Sequence, residues 1–457
     1  MSRVDRSRLP VPGPDRRFSF PQATKTTLAN GLRVWTVEHR SVPVVSFLLI
    51  VPSGAAADPS ARPGLAAITA DMLDEGSGER SALEVQDALA RIGAELETEV
   101  SADVTSLGLT TLTRFKERAL ALLADIVFRP RMDAREFARV RDLRLNRLLQ
   151  LRDLAPAVAD RAFVHMLYRG HPYGHQSIGT EAALRETSLD DLVAFHSRAY
   201  LPDQAVLIAV GDASHGDLAA EVDDAFGPWQ AAGPGAVTWS QTVDGPLPSP
   251  EAALAVVDRP GSSQSELRIG QVGAARNTPD YHALLVLNMI LGGQFVSRLN
   301  MNLRQDKGYT YGARMLFDFR RAPGPFVLQV SVQTQVTAAA IAESFGELEA
   351  IRGERPVTVE ELEIAKAALT RGYARNFETG EQIARAVAQL AIYDLPDDDF
   401  ETFVPSVASV GSDSVTRVAA AYLDPARMLT VVVGDHHQIG ESLAGLGRGT
   451  PALVTVP

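Results

Sequence analysis

Stretches of strand-like and helix-like hydrophobic spacing alternate along the chain, and they occur twice in the same order. Residues 32–38 and 44–51 alternate or run apolar with β-branched side chains and predict two strands joined through a turn at 39–43. After Pro63 and Gly64, Leu65, Ile68 and Met72 fall at helical spacing until Gly76, Ser77 and Gly78 stop the pattern. Ser81 and Glu84 make a capping box for a second helix, striped by Val85, Ala88, Leu89 and Ile92 and ended by Gly93. Strands are predicted at 96–100 and 104–112. Phe115, Ala119, Leu122 and Ile126 then stripe a helix closed by Arg129-Pro130. A long basic helix from about Asp133 to Leu154 leads to more helical pattern through Met166, a turn at 171–174, a helix over 189–200 and a strand over 205–210.

The second half runs the same way. Strands are predicted at 253–257 and 267–270. A helix opens at Thr278-Pro279 and ends at Gly292-Gly293, and Phe326, Leu328, Val330 and Val332 alternate as a strand. Ile341, Phe345, Leu348 and Ile351 stripe a helix, and Thr358 with Glu361 caps the next. Residues 192–212 match 414–435, a helix, a Tyr-Leu turn and a strand ending Gly-Asp, and Arg129-Pro130 matches Arg355-Pro356, all at offsets of 222 to 226 residues. A constant offset across separated features is the signature of duplication.

The predicted fold class is therefore α+β, with two homologous halves, each an antiparallel sheet packed with helices, joined by a Pro/Gly-rich linker as a clamshell. The boundaries are an arm at 1–22, an N-terminal half at 23–230, a linker at 231–250, a C-terminal half at 251–445 and a tail at 446–457.

Composition narrows the function. With 457 residues, 46% hydrophobic and 22% charged, the chain is of the ordinary globular class, and its apolar runs are of strand length rather than membrane-spanning length. A net charge of −12 disfavours nucleic acid, which is bound through excess Lys and Arg. With 0 Cys there are no disulfides or thiolate metal sites, so a zinc ion would need histidine and carboxylate ligands. His171 and His175 flank a Pro/Gly turn, His436 and His437 follow a strand on a surface loop, and the others are isolated. Each is read as a solvated or satisfied structural histidine. The arm carries Arg3, Arg6, Arg8, Arg16 and Arg17 without an apolar core, unlike a secretory signal. The expected location is cytoplasmic, or periplasmic if a signal has been removed.

The densest local pattern spans residues 291–312: a glycine break, a short amphipathic helix ending at Arg304, a tight turn at Gly308 and an aromatic strand start at Tyr311. Phe295, Ser297-Arg298-Leu299, Leu303-Arg304 and Lys307-Gly308 followed by Tyr311-Gly312 together resemble the C-terminal pattern of the inverzincin peptidases, the pitrilysin, insulysin and mitochondrial-processing-peptidase family. The resemblance runs from about Thr24 to Gly445. It implies paired α+β halves closing over a peptide, with an active half that carries H-x-x-E-H on a helix.

In this chain the lead-in Gly64-Leu65-Ala66 is present, but Ala67, Ala70 and Asp71 occupy the histidine, glutamate and histidine positions. The third ligand of the family, a glutamate, is matched by Asn146 or Arg147. No metal is expected in this chain. The resemblance gives Arg304 and Tyr311 the role of holding substrate carbonyls at a partner's zinc, which suits a guanidinium fork and a phenol donor.

The chain is therefore expected to be the zinc-free subunit of a heterodimeric zinc metallopeptidase, inactive alone. Its expected partners are a homologous zinc-bearing subunit and a peptide substrate, with no nucleic acid and no membrane. The alternative is a structural scaffold or peptide-binding protein without a proteolytic role.

Overall fold

The computed structural model describes residues 18–230, 236–238 and 251–456. Among the described residues, twelve strands form two six-stranded sheets. The first contains β1 (Thr24–Thr27), β2 (Arg33–Glu38), β3 (Val44–Val51), β4 (Leu96–Val100), β5 (Thr105–Leu112) and β6 (Val206–Gly211), in the order β1-β2-β6-β3-β5-β4. The second contains β7 (Leu254–Asp258), β8 (Gln264–Val272), β9 (Ala313–Phe317), β10 (Pro325–Gln333), β11 (Leu429–Gly434) and β12 (Ala452–Leu453), in the order β12-β7-β11-β8-β10-β9. Five consecutive positions correspond, β2-β6-β3-β5-β4 with β7-β11-β8-β10-β9, as the repeat in the sequence predicts. The sheets are mixed rather than antiparallel: β2 pairs with β6, and β7 with β11 and β12, in parallel. Long helical connections separate these strands in sequence, so nothing forces them to run antiparallel.

One face of the first sheet, including Val34, Phe47, Leu49 and Leu107, packs on helices of its own half, among them Leu65–Asp71 and Lys116–Phe128. Its other face, including Trp35, Leu48, Ile50, Ile208 and Val210, is covered by helix Gly380–Tyr393 of the second half. Gly380 permits this approach, because a Cβ there would come 3.3 Å from Ser46 Oγ and from the Val210 carbonyl oxygen. The reverse exchange also occurs. Helix Ala155–Tyr168 of the first half lies on β8 and β11 of the second sheet, where Phe163 and Leu167 pack with Val327, Leu429 and Val431. Each half thus supplies one helix to the other half's sheet.

The arm adds a third crossing. Phe18 packs against Tyr373 and Phe377 (centroids 5.2 and 5.1 Å), and Phe20 against Phe377 and Phe400 (5.2 and 4.9 Å), in edge-to-face or tilted pairs, all on the second half. Residues 1–17 and most of the expected linker lie outside the described residues; within the linker, Val237 donates its N–H to the Arg198 carbonyl (2.9 Å). Both predicted capping boxes form: Ser81 with Glu84, and Thr358 with Glu361. His436 and His437 open helix His436–Ala444 rather than sitting in a loop, because the Asp435 side chain caps it by accepting the His437 N–H. Among the described residues no helix is long and apolar enough to cross a membrane.

Candidate functional site

Helix Leu65–Asp71 carries Ala67, Ala70 and Asp71, the residues that the sequence resemblance aligns with a zinc motif. Gly64 precedes it at φ +98°, in the left-handed region, and a Cβ there would come 2.9 Å from the Gly179 Cα. The buried Asp58 carboxylate fixes the entry by accepting the N–H groups of Gly64 (2.6 Å) and Ala66 (2.7 Å). Ala67 and Ala70 are buried and present only methyl groups. Asp71 is bound by Arg144, whose Nη1 donates to Oδ2 at 2.6 Å, while Nη2 donates to the Ser177 carbonyl at 2.7 Å. A cation and an anion therefore tie helix Leu65–Asp71 to helix Ala134–Asp153.

Asn146 and Arg147 point elsewhere. Both are exposed, and Arg147 donates to Gln150 one turn along its own helix (3.3 Å). The residue of this helix that meets Asp71 is Arg144, which sequence spacing alone did not single out. The missing signal was rotational: Arg144 and Leu148 are one helical turn apart, and Leu148 is buried, so this stripe faces the fold. Among the described residues no group of three or more His, Asp or Glu is arranged to hold a metal.

The segment around Arg304 is built differently from the predicted short α-helix. Residues Asn300–Asp306 wind in π-helical turns, with the Lys307 N–H reaching back to the Asn302 carbonyl (3.0 Å). Buried Asn300 accounts for the wide turn. Its amide donates to the Gln294 carbonyl (3.2 Å), Ser297 Oγ (3.0 Å) and the Ala313 carbonyl (2.8 Å), and its oxygen accepts the Ala313 N–H (2.9 Å). This clamp joins the segment's start to the first residue of β9, and Gly308 turns the chain between them at φ +65°.

Arg298 anchors the same segment from below. Its Nε and Nη2 donate to Glu361 (2.6 and 2.8 Å), and Nη1 and Nη2 donate to the carbonyls of Arg355 (2.8 Å) and Pro356 (3.0 Å). Burial would raise the Glu361 carboxyl, but Arg298 and the Thr358 N–H outweigh it and hold the group at about 2. Arg298 is thus a structural member of the sequence motif.

On this frame Tyr311 is 93% exposed. The Arg304 guanidinium lies 3.8 Å from the centroid of the Phe295 ring, itself 65% exposed. Among the described residues neither Arg304 nor Tyr311 has a hydrogen-bond or ion-pair partner. The surrounding patch includes Val296 and Met301, both exposed.

Two family models match the chain: insulinase (peptidase family M16) over residues 33–181, and the peptidase M16 inactive domain over residues 187–369. The chain belongs to peptidase family M16. An uncharacterized zinc protease of Mycobacterium bovis is 27% identical over 356 residues, 78% of this chain and 80% of that protein. A probable mitochondrial-processing peptidase subunit beta of Schizosaccharomyces pombe is 25% identical over 281 residues, 61% of each chain. The crystal structure of a peptidase M16 inactive domain from Pseudomonas fluorescens matches with a TM-score of 0.84 at 26% identity, over 90% of this chain and 98% of that one. A protease from Helicobacter pylori shares the fold at a TM-score of 0.83 and 20% identity, over 91% of this chain and all of that one. Family M16 is a family of zinc metallopeptidases, and at 67, 70 and 71 this chain carries Ala, Ala and Asp.

Proposed function

We propose that this M16 chain is the zinc-free subunit of a heterodimeric metallopeptidase, and that it places Arg304 and Tyr311 at the zinc of a homologous partner. The contrast between the two loci carries the reading. At the motif helix, methyl groups and an Asp71–Arg144 ion pair fill the positions a metal set would use. In the other half, a buried framework around Asn300 and Arg298 presents an arginine and a tyrosine that have no hydrogen-bond or ion-pair partner among the described residues. A guanidinium and a phenol presented in this way suit a substrate carbonyl and the oxyanion that develops on it.

The test is to co-express the chain with a homologue bearing H-x-x-E-H and to follow cleavage of a quenched fluorescent peptide. Activity is expected only from the pair, with zinc bound in the partner. Arg304→Ala and Tyr311→Phe are each expected to lower kcat/KM by about 10²-fold, the scale of losing an oxyanion donor. Full activity of the pair with either variant refutes the assignment.

A further inference from the structure

Between the two halves lies a cavity of about 430 Å³ that the proposed role of Arg304 and Tyr311 does not use. The first half lines it with Val100 at the end of β4, Phe163 on the exchanged helix and His175 with Ile178, and the second half with Leu316 on β9 and Val327 on β10. Its volume falls in the range of ligand sites, and its walls combine apolar side chains with nearly as many polar and charged ones.

The charged groups in these walls are already paired. Asp160 accepts from Arg268 Nε (2.6 Å), and Asp318 accepts from Arg320 Nε and Nη2 (2.9 and 2.7 Å). His175 places Nε2 2.9 Å from the fully buried Asp58 carboxylate, an acceptor when ionised, so the neutral ring carries its one proton on Nε2. In this tautomer Nδ1 is an acceptor, and among the described residues it has no partner. A charged occupant would have to break an ion pair or remain unneutralised in a partly desolvated site, whereas a neutral one keeps every pair intact. An occupant with one N–H or O–H donor also satisfies His175.

We propose that this cavity receives a neutral aromatic side chain carrying one hydrogen-bond donor, that of tryptophan or tyrosine, from a peptide chain. The apolar part of the wall, Val100, Phe163, Ile178, Leu316 and Val327, buries the ring, and the oriented His175 Nδ1 accepts from the indole N–H or the phenol O–H. Phenylalanine fills the same space without that bond, and lysine or arginine is excluded by the paired charges. This inference names the side-chain class recognised and rests on the peptide-chamber reading, but it concerns a site contained in this chain alone.

The experiment uses the full-length chain without any partner. Blocked pentapeptides with Trp, Tyr, Phe, Ala or Lys at the centre are titrated by calorimetry, beside N-acetyltryptophanamide. Trp and Tyr peptides are expected to bind about 10-fold tighter than the Ala peptide, from burial of the ring. His175→Phe should remove their advantage over the Phe peptide while leaving Phe above Ala, a split that general loss of structure would not produce. Leu316→Arg, on the half-buried edge strand, should abolish the preference with an unchanged unfolding midpoint. Equal affinity across the series, no binding at all, a preference for Lys, or His175→Phe leaving the Trp and Tyr advantage in place overturns the proposal. N-acetyltryptophanamide binding as tightly as the Trp peptide overturns the peptide source. Failure of the heterodimer activity test with this selectivity intact would sink the subunit assignment and leave this site standing.

Discussion

Phe163 tests whether the two halves are one cooperative unit. It belongs by sequence to the first half, is 2% exposed, and packs on the second sheet with Val327, Leu429 and Val431. Its Cζ would lie 3.0 Å from a Cβ built on Gly270 of β8, so the ring sits directly against that strand. Truncation to alanine removes the ring from a site where backbone on one side and sheet on the other limit collapse, and the expected cost is about 3–5 kcal/mol. That is a large part of a typical domain stability of about 5–15 kcal/mol. Hydrogen exchange read by mass spectrometry on the wild type and Phe163→Ala gives the decisive pattern. If the exchanged helix holds the second sheet, amides of Gln264–Val272 and Leu429–Gly434 lose protection together with those of Ala155–Tyr168. Loss confined to residues 134–180, with the second sheet as protected as in the wild type, would refute the reciprocal-exchange argument.

Other expectations follow from the same geometry. Phe20→Ala empties a buried slot between Phe377 and Phe400 and should cost about 3 kcal/mol, read as a lower denaturant midpoint. Because the Glu361 carboxyl is held at about 2 in the folded chain, below its unfolded value, its stabilisation is fully present above about pH 4.5. It is lost as pH falls toward 2; Glu361→Gln should therefore destabilise the chain at pH 7 and flatten stability against pH between about 5 and 2, as denaturant titrations at stepped pH would show. Arg144→Met leaves Asp71 unpaired but partly solvated, so it should cost only about 1 kcal/mol and not unfold the chain. A loss of several kcal/mol would mean the pair is more deeply desolvated than its exposure indicates.

Much of the architecture is legible in the sequence because local chemistry imposes it. Apolar spacing marks the β3 and β5 strands, Ser81 with Glu84 and Thr358 with Glu361 mark helix starts, and the constant offset of the repeated helix-turn-strand marks two homologous sheets. The chemistry of two candidate positions is legible for the same reason: Ala67 and Ala70 carry no ligand atom in any fold. Family membership follows from motif and order together.

Tertiary structure alone decided the rest. Helices Ala155–Tyr168 and Gly380–Tyr393 look like ordinary amphipathic helices, and no local signal says that each covers the other half's sheet. Whether a strand pairs parallel or antiparallel is likewise set by where a long connection returns. Asn300, an unremarked polar residue in sequence, becomes the clamp that forces the π-helical turns before β9. Arg144 rather than Asn146 or Arg147 meets Asp71 because helix rotation, fixed by the packing of Leu148, chooses which side chain faces inward. Sequence determines which chemistry each position carries; the approach of distant elements determines which of those positions meet.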